Sequence, residues 1–377
     1  MTQVNLNKSR KLFIGLMSGT SMDGVDAALM DFTSNSLIAG LTRPYGVNAR
    51  AFLEQVLEGT CSGLKAYSQL NTILGREFAK AALEVMDKAG VNAKEIEAIG
   101  SHGQTLCHDA TADIPYTVQS GCAHTIAELT GVRVIADFRT RDLIAGGQGA
   151  PFAPIYHQAL FKAHRHPLAI VNIGGIANMT YLKDEFNLCG YDLGPGNCLM
   201  DAWIQKHQGY SYDKAGAWAA SGNFIGPLLD SLLTDNYFNR QYPKSIGKEY
   251  FSLSWLEGHL RPQYAAADVQ ATLLMLTATT IAQAIKGHGL CPNTLLICGG
   301  GAHNLTLLEK IAELLADVKV ESTSAYGVDP DFIEASMFAW FAEKTLNNTA
   351  LDLTQVTGSN RPIILGVIYP AGIDKRN

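Results

Sequence analysis

The sequence lacks the common signatures of nucleotide and metal sites. No segment matches G-x-x-x-x-G-K-[ST], and Gly147, Gly149 and the run Gly299 to Gly301 miss G-x-G-x-x-G, so the P-loop and the dinucleotide-binding turn are both absent. The seven cysteines, Cys61, Cys107, Cys122, Cys189, Cys198, Cys291 and Cys298, are odd in number and contain no C-x-x-C. Neither a disulfide framework nor a zinc site is signalled, and a reducing, cytoplasmic setting is expected. No run reaches the ~18 apolar residues of a membrane span. Lys8, Arg10 and Lys11 before Leu12 to Met17 imitate a signal peptide, but that apolar run is six residues long. A secretory core needs ~7–15, so a turn at Ser18-Gly19-Thr20-Ser21 is expected there instead. Basic excess is missing as well: the formal charge is −6. Nucleic acid is therefore not an expected partner.

What remains is a globular composition, 47% hydrophobic and 17% charged over 377 residues. That length suggests two to three domains on the ~150-residue prior. Three segments repeat one pattern, an apolar strand-like run breaking into Gly, Ser, Thr and Asn: Leu12 to Asp31, Leu168 to Leu182 and Leu295 to Leu307. The first two continue into second apolar runs, Val25 to Phe32 and Met179 to Leu182, and so predict hairpins with Gly-rich tips. The third continues into Leu305, Leu308, Ile311, Leu314 and Leu315 at helical spacing. Gly turns leave bare N–H groups that can converge on phosphate oxygens. Any one such tip is more often a plain tight turn, but three together point to a nucleoside polyphosphate. A fourth element, Tyr191 to Asn197, sets the carboxylate of Asp192 before the turn Gly194-Pro195-Gly196.

Between these landmarks the spacing predicts a helix over 66–88, a short strand over 96–100 ending at Ser101-His102-Gly103-Gln104-Thr105, a helix over 123–129 and a strand over 132–135. Helices over 198–206 and 268–286 follow. Strands alternating with helices argue for an α/β layered fold. The Gly146 to Pro151 stretch reads as a crossover, hinge or bare loop. The Tyr- and Trp-rich region 211–260 suits a packed wall or a dimer surface. Residues 1–150 form one expected lobe and 151–345 a second, with 346–377 returning to a lobe the sequence does not assign.

Two hairpin-led halves resemble the sugar kinase, actin and chaperone ATPase superfamily. More narrowly, Gly15 to Asp26, Ser101 to Thr105, Asp137-Phe138-Arg139 with Arg141-Asp142, Asn172-Ile173-Gly174-Gly175-Ile176-Ala177-Asn178 and Asp192 to Asn197 resemble the bacterial anhydro-N-acetylmuramic acid kinases. The resemblance implies a two-lobed actin-like ATPase fold, with duplicated ribonuclease H-like domains flanking a nucleotide cleft. It implies an enzyme that uses ATP and Mg²⁺ to hydrolyse and phosphorylate 1,6-anhydro-N-acetylmuramic acid during peptidoglycan recycling, and a homodimer. ATP would meet Ser18, Gly19, Thr20, Ser21, Met22, Asp23, Gly24, Val25 and Asp26 on the first hairpin. On the second half it would meet Gly174, Gly175, Asn178, Gly194, Gly196 and Asn197, with Gly299 and Gly300 near the adenosine.

By the same resemblance Asp192 is the general base and Glu334 a second carboxylate orienting the water, while His102, Gln104 and Arg141 touch the sugar. Each has a plainer reading. Asp192 suits an Asx-turn, Glu334 a capping box begun by Asp331, His102 a structural role, and Arg141 a surface ion pair with Asp137 or Asp142. A guanidinium also matches a lactyl carboxylate in bidentate fashion. Two departures stand out. Gly15-Leu16-Met17 is apolar where the superfamily often has an acidic metal neighbour, so no protein ligand for Mg²⁺ is assigned. Leu193 stands where Thr is common, which would remove one phosphate contact. The competing readings are another actin-like phosphotransferase or polyphosphatase, and a nucleotide-switched assembly protein.

Overall fold

The computed structural model describes residues 10–19, 22, 24–241, 244, 246–247, 250–287 and 292–372. The chain divides into two units, one of residues up to Phe152 together with those from Phe332 onward, the other Ala153–Asp331.

In the first unit the run LFIGLMS becomes β1 (Leu12–Ser18), buried at every position as a central strand covered on both faces requires. Strands β2 (Gly24–Asp31) and β3 (Ser36–Pro44) extend the sheet antiparallel on one side of β1, and β4 (Ile96–Asp109) runs parallel to β1 on the other. Strand β5 (Tyr116–Ser120) pairs with the far end of β4, and β6 (Val134–Ala136) lies parallel to β4. The strand Val367–Tyr369 closes the edge beyond β6.

The second unit repeats the plan. Its strands are β7 (Leu168–Ile173), β8 (Ile176–Leu182), β9 (Leu188–Pro195), β10 (Thr294–Cys298) and β11 (Lys319–Ser322), in the spatial order β11-β10-β7-β8-β9. Both sheets thus place an antiparallel three-strand meander beside two strands parallel to its first member. This is the duplicated ribonuclease H-like α/β fold that the sequence leads one to expect.

The helix Leu64–Ala89 buries Leu70, Leu74, Phe78, Ala81 and Val85, one stripe at helical spacing, in the same core as Leu12, Ile14 and Leu16 of β1. Gly90 stops it in the left-handed conformation, φ 67°. The helix Ile333–Leu346 covers the opposite face. A Cβ at Gly15 would collide with the carbonyl oxygen of Ala335, and one at Gly100 with that of Phe338, so bare backbone in β1 and β4 is what lets this helix seat.

That seating corrects the expected boundary. The second unit ends at Asp331 rather than at 345, and the return segment joins the first unit. A second correction concerns β4, which continues to Asp109 instead of ending at Gly100. Register shifts opposite β1 and β5 let Ser101 to Thr105 stay within the sheet. The aromatic region after Ser211 is a packed wall around Tyr237, Phe238, Phe251 and Trp255, with Phe238 and Phe251 stacked at 5.6 Å between ring centroids.

Candidate active site

In the first unit the β1–β2 tip is held from behind. Ser18 Oγ lies 2.7 Å from Gly24 O and 2.8 Å from Gln104 Oε1, between which its single proton is shared, and accepts from the Tyr45 hydroxyl at 2.8 Å. Gln104 Nε2 reaches Gly19 O at 3.3 Å. Ser18 and Gln104 are buried and engaged with each other, so they brace the turn, and Val25 is a core residue. Tyr45 stays a donor, because burial pushes its pKa up. Met22 closes the turn by donating to Gly19 O, with φ 58°, a conformation uncommon outside glycine. Thr20, Ser21 and Asp23 lie outside the described residues.

Behind this turn sits a charge cluster. Arg139 Nε donates to His102 Nε2 at 2.9 Å and its Nη1 to Gly149 O at 2.6 Å. His102 must therefore present Nε2 as a lone pair. Burial, reinforced by the positive charge of Arg139, holds it neutral, well below its ordinary pKa. Arg139 itself falls to about 10 through burial, partly offset by Glu334 and Asp142, and keeps its charge at neutral pH. Glu334 is pushed up by burial and by Asp26, with Arg139 opposing. Asp26 also accepts from Thr42 Oγ1 at 2.6 Å.

The capping-box reading of Glu334 is not realised: Phe332 is the N-cap and makes no side-chain cap, while Asp331 turns to His303. Arg141 is exposed and pairs with neither Asp137 nor Asp142. Asp142 is buried and instead takes Thr357 Oγ1 and Gly149 N, both at 2.7 Å, pinning the Gly146 to Gly149 loop.

In the second unit Gly174 and Gly175 form the β7–β8 tip. Their carbonyls accept from Gly196 N, Asn197 N and Cys198 N, and Asn197 Nδ2 reaches Ile173 O at 3.0 Å. Gly196 and Asn197 thus shape the turn with their own N–H groups. Asn178 stands in register with Asn172 and Asp192.

Asp192 lies inside β9, not in a turn. The β8 register skips Leu193, which places a bulge between Asp192 and Gly194. Bulges re-aim neighbouring side chains and recur beside active sites. Leu193 itself is 3% exposed, a core position rather than a phosphate contact. The backbone of Asp192 is fixed by its N–H to Lys244 O at 3.0 Å and by the Tyr237 hydroxyl donating to its carbonyl at 2.8 Å. Its Oδ2 accepts from Ile246 N at 3.0 Å, which replaces the expected Asx-turn. Burial raises its pKa from 3.8 to about 6, against the lowering effect of that hydrogen bond. A carboxylate so placed is mostly ionised at neutral pH, yet far more basic than an ordinary Asp.

The turn after β10 has Gly299 at φ 73°, its N–H on Pro330 O at 2.9 Å, and no room for a Cβ against Asn172 Oδ1. Gly301 is equally closed, by Ile173, whereas a Cβ at Gly300 would meet only Asn197 Nδ2 at 3.8 Å. Beside this turn a cavity of about 450 Å³ is lined by His303, Ser322, Ser324, Asp329 and Asp331. His303 Nε2 lies 2.9 Å from Asp331 Oδ1.

The sequence reasoning passed over Arg139, which stood in a quoted motif, and Tyr45, His303 and Tyr237, whose roles depend on distant partners. Ile246 acts through its backbone and leaves no trace in residue type. Among the described residues no three His, Cys, Asp or Glu gather as a metal cluster, and no helix is long and apolar enough to cross a membrane.

The chain is similar to known proteins along nearly its whole length. A protein of Legionella pneumophila (strain Corby) called anhydro-N-acetylmuramic acid kinase is 54% identical over 359 residues, 95% of this chain and 98% of its own. One of the same name from Aliivibrio fischeri is 44% identical over 363 residues, 95% and 99% of the two chains. Among solved structures, the activator of the 2-hydroxyisocaproyl-CoA dehydratase from Clostridium difficile with bound ADPNP aligns with TM-score 0.46 at 13% identity, over 90% of this chain and 99% of that one. The pattern of the family described as anhydro-N-acetylmuramic acid kinase matches residues 11–371, spanning both sheets and every turn described above, and to that family this chain belongs.

Proposed function

We propose that this chain uses ATP to convert 1,6-anhydro-N-acetylmuramic acid and water into N-acetylmuramic acid 6-phosphate and ADP, in the cytoplasm, during recycling of cell-wall sugar. The observation that carries the reading is the Asp192 carboxylate, held by the Ile246 N–H and raised to a pKa of about 6. Asp192 takes a proton from water as the water oxygen bonds to the anomeric carbon. The bond from that carbon to the sixth oxygen breaks, and the freed oxygen bonds to the γ-phosphorus while ADP leaves. Phosphoryl transfer asks the protein chiefly for positioning and charge neutralisation.

Glu334, a buried carboxyl group in the charge cluster with Arg139 and Asp26, is assigned to orienting the nucleophile. Arg141, exposed and unpaired among the described residues, is assigned to the lactyl carboxylate. Gly19 and Gly24 with the first tip, and the amides of Gly174 and Gly175 with the second, are assigned to ATP phosphates. Gly299 and Gly300 are assigned to the adenosine, which the cavity beside His303 has room to receive. Mg²⁺ supplies further charge neutralisation when bound.

The test is ADP release with and without the anhydro sugar, run also in ¹⁸O-water. Release should depend strongly on the sugar, and label should reach the anomeric hydroxyl after correction for exchange. Label in the phosphate, or sugar-independent release, refutes the scheme.

A further inference from the structure

We propose that the second unit holds a separate oxyanion site, in which Arg240 and Lys244 receive inorganic phosphate or the phosphate of a phosphomonoester. The site is a half-open cavity of about 190 Å³. Its walls come from Tyr191 and Leu193 of the edge strand β9, from Phe238, Arg240 and Lys244, and from the helix Ala266–Gly287, which contributes Gln283. None of the Gly-rich turns lines it, and neither does Asp192, although both of its chain neighbours do.

Three observations point to an anion. The first is charge: the lining contains two cations and no carboxylate. The second is that both cations are gathered on one buried ring, with Lys244 Nζ 4.6 Å from the centroid of Tyr237 and Arg240 Cζ at 5.8 Å. Like charges so placed repel, and burial together with Arg240 pushes the Lys244 pKa down. The third is that neither finds a carboxylate among the described residues. Lys244 Nζ has only the carbonyls of Tyr237 at 3.2 Å and Phe238 at 3.4 Å, and the Arg240 guanidinium makes no hydrogen bond there.

An oxyanion relieves that repulsion and offers the guanidinium fork two parallel hydrogen bonds. The exposed amide of Gln283 supplies a further neutral donor. Size narrows the class. The cavity falls below the roughly 300–1,000 Å³ of clefts that enclose drug-sized molecules, so it suits a phosphate group and not a whole nucleotide.

The experiment titrates the full chain calorimetrically with inorganic phosphate and, separately, with glucose 6-phosphate, each in the presence of a saturating nonhydrolysable ATP analogue. Saturable binding that persists under the analogue, weakens at least about tenfold in Arg240→Gln and recovers partly in Arg240→Lys supports the site. Tighter phosphate assigns it to the free ion, and tighter sugar phosphate to a monoester. Ala284→Glu, which adds a carboxylate to the wall, should abolish binding, and the partial recovery in Arg240→Lys guards against a folding artefact in Arg240→Gln. Absence of saturable binding overturns the proposal. So does binding that the analogue removes and Arg240→Gln leaves unchanged, which would place the anion on the nucleotide turns. Because no turnover is measured, failure here is distinct from failure of the phosphoryl-transfer scheme.

Discussion

Replacing Asp192 by Asn separates chemistry from stability in opposite directions. Asn keeps the shape, and its carbonyl oxygen can still accept from Ile246 N, but it takes no proton. Turnover should fall by about two to four orders of magnitude, or ~2.7–5.4 kcal/mol at 1.36 kcal/mol per decade, the usual scale for a general base. The folded protein should meanwhile gain stability. Asp192 titrates near 6 in the fold against 3.8 ordinarily, so above pH 4 the unfolded chain loses this proton first and folding must oppose ionisation. Roughly two units at 1.36 kcal/mol each give a ceiling of ~3 kcal/mol near pH 7, reduced by the partial exposure of the carboxylate. The stabilisation should vanish below pH 4, where both states are protonated. With a pKa of about 6, roughly nine-tenths of the base is ionised at pH 7 and a tenth at pH 5, so the wild-type rate should fall about tenfold per unit on its acid side. The assays are turnover against pH, and melting temperature of both proteins at pH 4 and 7. An Asn variant that turns over normally, an acid limb centred at 4, or a variant less stable at pH 7 would each refute the reasoning.

Gly300→Val should raise KM for ATP at least several-fold while leaving the melting temperature near wild type, because a Cβ has space there; Gly301→Val, closed off by Ile173, should instead lower the melting temperature. Arg139→Met leaves the His102 acceptor and the Glu334 charge without their cation, and a loss of about 1–3 kcal/mol in denaturant unfolding is expected. Tyr237→Phe removes the hydroxyl that fixes Asp192 O and should shift the acid limb of the rate profile, a change that mere loosening of the aromatic wall would not produce. Buried His157 is held neutral at about 4, below its ordinary 6.5, so the stability it contributes is present above pH 6.5 and lost as pH falls toward 4. His157→Gln should flatten that part of the stability profile, and an unchanged slope would refute the assignment.

What was legible in the sequence is what depends on local pattern. The hairpins at Leu12 and Leu168 follow from spacing, and so do the helices expected over 66–88, 198–206 and 268–286, which the structure extends by one or two residues at their ends to Leu64–Ala89, Cys198–Gln208 and Ala266–Gly287. The motif likeness pointed to the family through residues such as Asp192, Gly194 and Asn197. What escaped depends on long-range packing. The strand β4 looked finished at Gly100 because the polar, Gly-containing stretch Ser101 to Thr105 reads as a turn in isolation, whereas a bulge opposite β1, holding Gly103 at φ 80°, carries the strand past it. Glu334 looked like part of a cap, since Asp331 stands three residues earlier; it became part of a charge cluster once Gly15 and Gly100 let its helix seat on the first sheet. Asp192 is the clearest case. Its residue type announced a carboxylate, but its basicity comes from burial in the fold, tempered by a backbone N–H that Ile246 supplies from 54 positions away. A backbone donor can come from almost any residue, so the identity of Ile246 carries no signal. Substitutions at Ile246 that preserve its backbone should therefore spare the acid limb, whereas Ile246→Pro, which deletes the N–H, should raise it.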